Sequence, residues 1–295
     1  MYMYNYNYKL SFKRKDIENN ICACMFITAS IGVRFLQFYS TNAIYDYITN
    51  NNYTEYKFAK EDIWLMIYGT KESIPKIILV ISAKSSEDYL KGALGEHEIE
   101  IMDIAADLAE LSKLEYKVVR YCKDEPSISD IQYIDYPTRR CKSMNINLLT
   151  KLFKQNGIII DNSKTGKYLN DRTSSAFHRW QRSVLGRNVT ASDIDLIKVT
   201  NKNRYSFYEL KRSIIPVDKW EPFADDFANF RLIRRFADLV NADFKIVYNQ
   251  RTKTPFYDDI SKLKLFSFDI DEDKAVYLRT VSLEEFLRRK TEWIN

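Results

Sequence analysis

Residues 193–199 read DIDLIKV and residues 205–212 read YSFYELKR, with the short polar run 200–204 between them. Both arms are rich in β-branched and aromatic side chains, which favour strands, and the polar run is typical of a turn. The pattern predicts a β-hairpin. The rest of the fold is predicted outward from this hairpin.

Charged side chains converge on the predicted hairpin. Because side chains alternate between the faces of a strand, Asp193 and Asp195 are expected on one face, and Glu209 and Lys211 on one face of the other arm. If these faces coincide, two or three carboxylates and one ammonium lie close together. Such hard oxygen ligands suit Mg²⁺, with waters and a substrate phosphate completing its shell. The lysine would orient or deprotonate the attacking water, or stabilise charge on the phosphate.

Periodic apolar patterns predict further elements around the hairpin. A helix at 173–185 precedes it, and a helix at 223–240 and a strand at 243–248 follow it. The implied order is helix, strand, strand, helix, strand. The tail predicts two strands and a final helix, at 263–270, at 275–279 and from 283 onward.

The acid Asp195, followed after thirteen residues by Glu209, Leu210 and Lys211, resembles the signature of the PD-(D/E)XK, or restriction-endonuclease-like, nuclease superfamily. The resemblance covers about residues 145–248 and implies an α-β-β-α-β core. It implies that Asp195 and Glu209 hold Mg²⁺, for which Mn²⁺ would substitute, and that the Leu210 carbonyl adds an oxygen. Lys211 would activate the water for hydrolysis of a phosphodiester in DNA.

The sequence departs from the family pattern in two ways. No proline precedes the first acid, so either Asp193 or Asp195 is the ligand, and the hydrophobic pair that follows Asp195 favours it. Many family members also carry a glutamate on the first helix. This chain has no acid between residues 173 and 190, and His178 or Gln181 lies near the expected place.

The first half of the chain repeats the order of elements. It predicts strands at 63–68, 74–82 and 116–121 and, before the last of these, a helix at 97–114. The counterparts of Asp195, Glu209 and Lys211 are, in that order, Trp64, Ser82 and Lys84. The first half is therefore predicted to be a degenerate nuclease-like module that binds substrate or a partner subunit. The alternative is that two α/β units share a common pattern.

These patterns predict an α/β protein of two modules. Its segments are a loosely ordered leader (1–20), an N-terminal α/β module (21–123), a linker (124–144) and a PD-(D/E)XK-like nuclease domain (145–295). The apolar run 21–33 is too short to span a bilayer and predicts a buried helix or strand.

Composition narrows the class further. With 45% hydrophobic residues the chain can bury a core, and a formal net charge of +5 permits a local basic face for nucleic acid. The spacing of the four cysteines does not match the usual zinc patterns. They are predicted to be reduced thiols of a cytoplasmic protein: Cys22, Cys24, Cys122 and Cys141.

Two further groups of charged residues lie after the predicted hairpin, one basic and one acidic. Arg231, Arg234 and Arg235 lie at i, i+3 and i+4 of a predicted helix and form one stripe, either a phosphate contact or ordinary surface. Asp258 and Asp259, with the acids at 271–273, are predicted to be solvated loop acids.

The sequence therefore predicts a Mg²⁺-dependent DNA endonuclease without a membrane segment, and leaves a homodimer open. One alternative is a catalytically silent protein of the same fold that binds nucleic acid or a protein partner. Another keeps the enzyme but makes RNA its substrate.

Overall fold

The structure is a computed structural model that describes residues 21–23, 38–40, 42–59, 62–125, 127–136, 138–163, 175–200, 204–253 and 256–288. The predicted leader lies outside these residues, as does most of the apolar run after it. Within them the chain is mixed α/β. None of the helices in this part of the chain is long and apolar enough to cross a bilayer.

The elements fall into two similar series after a short antiparallel pair, β1 (Ile21–Ala23) and β2 (Phe38–Ser40). The first half contains α1 (Ala43–Asn50), β3 (Tyr56–Lys57), β4 (Ile63–Thr70), β5 (Pro75–Lys84), α2 (Ser86–Lys91), α3 (Glu96–Ser112), β6 (Glu115–Cys122), β7 (Asp130–Asp135), β8 (Arg140–Asn145) and α4 (Asn147–Gln155). The second half contains α5 (Ala176–Val184), β9 (Val189–Asp193), β10 (Leu196–Val199), β11 (Tyr205–Ser213), a 3₁₀ turn (Ala224–Asp226), α6 (Phe227–Leu239), β12 (Asp243–Lys253), β13 (Phe256–Asp269), β14 (Lys274–Ser282) and α7 (Leu283–Arg288).

Two six-stranded sheets have the same topology. The first sheet has the order β9-β4-β5-β6-β7-β8 and the second β3-β10-β11-β12-β13-β14. In each, only the β5–β6 or β11–β12 pair is parallel, and all other neighbours are antiparallel. A parallel pair needs a crossover connection, which α3 and α6 supply. The order predicted for both halves is therefore present in both.

Each half contributes its first helix and the strand after it to the sheet of the other half. β3 precedes β4 in the chain but pairs with β10, whereas β9 precedes β10 but pairs with β4. In the same way α1 packs with α7 on the outer face of the second sheet, and α5 packs with α4 on the outer face of the first. Neither sheet is therefore complete with residues of one half alone.

One hydrophobic core joins the halves. The inner faces of both sheets, with α3 and α6, enclose it. Side chains of β11 alternate between the two faces of the second sheet. Tyr205 and Phe207 face this central core, and Tyr208 faces a separate core on the outer side of the sheet. Phe207 stacks on Phe236 of α6 with ring centroids 5.6 Å apart. The halves are thus one packed unit.

The segment predicted as a linker at 124–144 is corrected to two strands. β7 and β8 pair antiparallel at the edge of the first sheet, and Ile131 and Ile134 of β7 are buried. β8 is almost wholly exposed. A polar edge strand protects a sheet from pairing with other chains, and in sequence its composition resembles that of a linker.

The strand predicted at 193–199 is broken in the middle. β9 ends at Asp193 in the first sheet, and β10 begins at Leu196 in the second. Between them Ile194 is buried in the central core, and its N–H donates to the carbonyl of Leu65 at 3.0 Å. Asp193 and Asp195 therefore do not share one face of one strand. The hairpin of β10 and β11 is confirmed.

Candidate active site

Acidic side chains and a lysine gather where β10, β11 and the start of α6 meet. Lys211 Nζ lies 2.9 Å from Glu209 Oε1 and 3.5 Å from Asp226 Oδ2. The N–H of Leu210 donates to Asp195 Oδ2 at 2.7 Å. The side chain of Lys211 is 24% exposed and that of Glu209 8%, so the site is recessed but open to solvent. We call this group, with Asp193, the Asp195 cluster.

Elements anchored in the core position these side chains. Glu209 and Lys211 share the inner face of β11 with Phe207, which is fully buried, so the strand carries them from the core to its rim. Asp226 arrives from the other direction, at the end of the 3₁₀ turn before α6. That segment follows Trp220, which is also buried. Both sides of the cluster are therefore fixed by packing.

Asp193 belongs to the same cluster although it comes from the other sheet. It ends β9 opposite Met66. Its charge nevertheless helps to raise the pKa values of Asp195 and Glu209. The N–H of Leu210 holds the carboxylate of Asp195 beside Glu209.

Burial and mutual repulsion govern the ionisation of the cluster. Burial, then Glu209 and Asp193, raise the pKa of Asp195 well above 3.8. Burial also raises the pKa of Glu209 above 4.5, although Lys211 opposes the shift. For Lys211 burial disfavours the charge, but the carboxylates of Glu209 and Asp226 outweigh it and raise its pKa above 10.5. Lys211 is therefore an ammonium, whereas Asp195 and Glu209 release their protons less readily than ordinary carboxyl groups.

The raised pKa of Asp195 predicts that its ionised carboxylate destabilises the folded protein. Because the pKa of Asp195 is raised on folding, the folded state binds a proton that the unfolded state releases above about pH 3.8. The stability that this proton contributes is lost as pH rises from there through the folded-state pKa. We expect Asp195→Asn in EDTA to melt at a higher temperature than wild type at pH 8, with the gap closing toward pH 4.

Asp258→Asn is the matched control, since Asp258 is buried between two cations instead. It should destabilise the protein, by about 3–5 kcal/mol, because two partly buried guanidinium groups lose an anionic partner. Thermal melts from pH 4 to 8 measure both. An Asp195→Asn variant no more stable than wild type at pH 8 would contradict the repulsion described above.

The prediction that Asp258 is a solvated loop acid is wrong. Its side chain is wholly buried, with Arg212 Nη1 and Arg251 Nε each 2.8 Å from a carboxylate oxygen. β13 begins earlier than predicted, in a stretch whose polar letters resemble a loop, and this carries Asp258 into the sheet. The acids at 271–273 are exposed, as predicted.

Helix α1 of the first half completes the cluster. The hydroxyl of Tyr45 donates to the carbonyl of Asp195 at 2.9 Å, and its ring stacks on Phe58 with centroids 4.2 Å apart. Burial raises the pKa of Tyr45, and Asp195 and Asp193 add to the shift. The main chain of Asp195 is thus held by Tyr45 and its carboxylate by Leu210. No local pattern indicates Tyr45, which precedes Asp195 by 150 residues.

Comparisons with known proteins found nothing similar to the chain. No family model, curated protein or solved structure matched the chain. Within the residues that the structure describes, no three His, Cys, Asp or Glu side chains are grouped closely enough to hold a metal as they stand.

His178 and Gln181 contact the first sheet rather than the cluster. His178 Nδ1 lies 2.6 Å from Ser175 Oγ, its ring meets that of Trp64 edge-on, and burial lowers its pKa to about 4. Gln181 Oε1 accepts from the hydroxyl of Tyr68 at 2.7 Å. Their helix, α5, is one of the two helices exchanged between the halves, so it lies on the first sheet.

The arginine stripe on α6 is engaged within the chain. Arg231 Nη2 lies 2.6 Å from Asp273 Oδ1, and Arg234 Nη1 lies 2.8 Å from Asp238 Oδ1. Arg235 donates to a main-chain carbonyl. A phosphate would have to compete with these partners. The thiols of Cys122 and Cys141 are free, and the side chains of the other two cysteines lie outside the described residues.

Proposed function

We propose that this chain is a Mg²⁺-dependent nuclease that hydrolyses phosphodiester bonds, with DNA as the favoured substrate. The observation that carries the proposal is the convergence of Glu209 and Lys211 on β11 with Asp195, which lies just before β10, the other strand of the hairpin. The preference for DNA rests on the resemblance of these residues to the PD-(D/E)XK signature.

The donor set suits a hard divalent cation. Asp195 and Glu209 would each supply a carboxylate oxygen and Leu210 its carbonyl, with waters and a substrate phosphate in the remaining positions. Burial and repulsion raise the pKa values of both carboxyls, and a cation between them would relieve both effects. When bound, Mg²⁺ supplies Lewis-acid polarisation of the phosphodiester and lowers the pKa of water.

Lys211 acts in this proposal as a cation and not as a base. Its raised pKa keeps the amine protonated, because Glu209 and Asp226 both face it. An ammonium can donate to the attacking water or to a phosphate oxygen, where negative charge grows during hydrolysis. Asp226 would hold Lys211 in place for either role.

One observation favours the catalytically silent alternative. Lys211 Nζ already lies 2.9 Å from Glu209 Oε1 and could itself be the cation that this carboxylate requires. If that ion pair persists when Mg²⁺ is offered, the cluster is structural, and the protein binds nucleic acid or another protein without cutting.

Cleavage assays separate these functions. Purified protein is incubated with plasmid, single-stranded DNA and RNA in Mg²⁺, Mn²⁺ or EDTA. We expect DNA cleavage with either metal and none in EDTA. Cleavage of RNA alone would transfer the proposal to RNA, and intact substrates under all conditions would support the silent alternative.

Tyr45→Phe is expected to weaken Mn²⁺ affinity by roughly 10-fold, because partners that orient a metal ligand contribute about that much. The substitution keeps the ring stacked on Phe58 and removes only the hydrogen bond to Asp195. Isothermal titration calorimetry of the full chain measures the affinity.

Tyr56→Phe is the matched control, since its hydroxyl also donates to main-chain carbonyls beneath the second sheet, those of Phe286 and Leu287 at 3.3 Å. Both variants should lose about 1 kcal/mol of stability, but only Tyr45→Phe should lose affinity. Equal affinities in the two variants would remove Tyr45 from the site.

A further inference from the structure

The Asp195 cluster has a counterpart in the first half. Lys84 near the end of β5 corresponds to Lys211 on β11, since each precedes the crossover helix of its own sheet. Lys84 Nζ lies 2.8 Å from Glu98 Oε2, in the first turn of α3. Lys211 contacts Asp226, just before α6, in the same way. The lysine and the acid at the start of the helix are therefore repeated.

Asp62 lies one residue before the place of Asp195, because Ile63 pairs with Ser82 whereas Asp195 adjoins the Leu196–Tyr208 pair and so lies opposite Glu209. Each aspartate lies just before the strand that pairs with the lysine-bearing strand, and each accepts from the residue that precedes the lysine. The N–H of Ala83 donates to the main-chain carbonyl of Asp62 at 2.7 Å, whereas that of Leu210 donates to the side-chain carboxylate of Asp195 at 2.7 Å. The sequence analysis placed Trp64 here, but Trp64 faces the outer core.

The second carboxylate is missing from the first half. Ser82 stands where the second half has Glu209, on the same strand face as Lys84 and two residues before it. The Ser82 hydroxyl is buried and has no hydrogen-bond partner in the described part of the chain. Hydroxyl in place of carboxylate removes one of the two anionic oxygens that a divalent cation would use.

Basic side chains neutralise the acids that remain there. Lys123 forms an ion pair with Asp62. Arg120 is fully buried, and its Nε lies 3.2 Å from Glu98 Oε1 while Lys84 takes the other oxygen. Three cations thus surround two carboxylates. A divalent metal entering this place would meet net positive charge.

We propose that the chain is a fused pseudo-dimer with one working metal centre and one closed by ion pairs, and that it therefore nicks a single strand of duplex DNA per encounter. The strand count rests on the proposed nuclease function. Two copies of one unit that swap an element exchange it reciprocally, as α1–β3 and α5–β9 are exchanged here. Cutting both strands requires two centres or two encounters, and the first half offers only a closed centre.

The closed half still serves the working one. It supplies Tyr45, the edge strand β3 and half of the central core, so its loss would dismantle the second sheet. A silent first half therefore persists for structure and for positioning of Asp195, although it holds no metal.

Mn²⁺ binding to the full chain tests the number of centres, independently of cleavage. We expect one Mn²⁺ per chain by electron paramagnetic resonance titration. Asp195→Asn should weaken its binding at least 10-fold, and the matched Asp62→Asn should leave it unchanged. Two ions per chain, one of them lost with Asp62→Asn, would overturn the proposal. Lys84→Met replaces Asp62→Asn if that variant does not fold, with the same expectation.

Supercoiled plasmid tests the strand count. Protein shown by light scattering to be monomeric should yield nicked circles first and linear DNA only later, and Lys84→Met should cut at the wild-type rate. Linear DNA formed as fast as nicked circles would overturn the strand count and leave the nuclease standing. No cleavage with either metal would overturn the nuclease and the strand count together, while the Mn²⁺ titration still decides the number of centres.

Discussion

Replacing Glu209 with glutamine is expected to slow Mg²⁺-dependent DNA cleavage by roughly 10³-fold or more, and Asp195→Asn should do the same. Each substitution keeps the shape of the side chain but removes an anionic oxygen from a cluster in which both carboxylates serve one cation. Residues that act as one unit are grossly non-additive, so the double variant should be little slower than either single variant. Initial rates on plasmid measure the effect, and circular dichroism checks the fold.

Asp193→Asn is the control for these substitutions. Asp193 contributes charge to the cluster, but the N–H of Leu210 holds the carboxylate of Asp195 beside Glu209. Its replacement should therefore slow cleavage mildly. A severe loss with Asp193→Asn and a mild one with Asp195→Asn would exchange the roles of the two acids.

Lys211→Met is expected to slow cleavage by about 10²–10³-fold while Mn²⁺ stays bound, because it removes the donor for the water or phosphate and no metal ligand. The ammonium also lies 2.9 Å from Glu209, so its removal should leave metal affinity equal or higher. Rates and Mn²⁺ titrations on the same preparation give both quantities. Loss of the metal together with the activity would mean that Lys211 supports the ligands instead.

The matched control for this lysine is Lys84→Met. Lys84 holds the corresponding place in the first half and pairs with the acid at the start of the crossover helix there. Unchanged cleavage in that variant would show that the effect of Lys211 belongs to its own cluster.

Local pattern was sufficient for the elements that carry the cluster. The apolar run of β5, the helical period of α3 and the aromatic alternation of β11 each depend on near neighbours, and each element lies where the sequence predicts it to within a few residues. Asp195, Glu209 and Lys211 are in reach of one another because a hairpin joins them. Proximity along the chain made that group predictable.

Long-range exchange was not predictable in the same way. Nothing in the sequence near α1 or α5 indicates that each packs on the sheet of the other half, so Tyr45 was missed and His178 was placed beside the wrong sheet. Asp226 was missed for a different reason. An acid before a helix is common because it complements the helix dipole, and this ordinary role gives no sign of a contact with Lys211.

A crystal of the protein soaked in Mn²⁺ gives the most direct test of the metal site. We expect one anomalous difference peak about 2.1 Å from carboxylate oxygens of both Asp195 and Glu209, with the amine of Lys211 displaced from Glu209. An empty cluster that retains the ion pair of Lys211 and Glu209 at saturating Mn²⁺ would contradict this expectation.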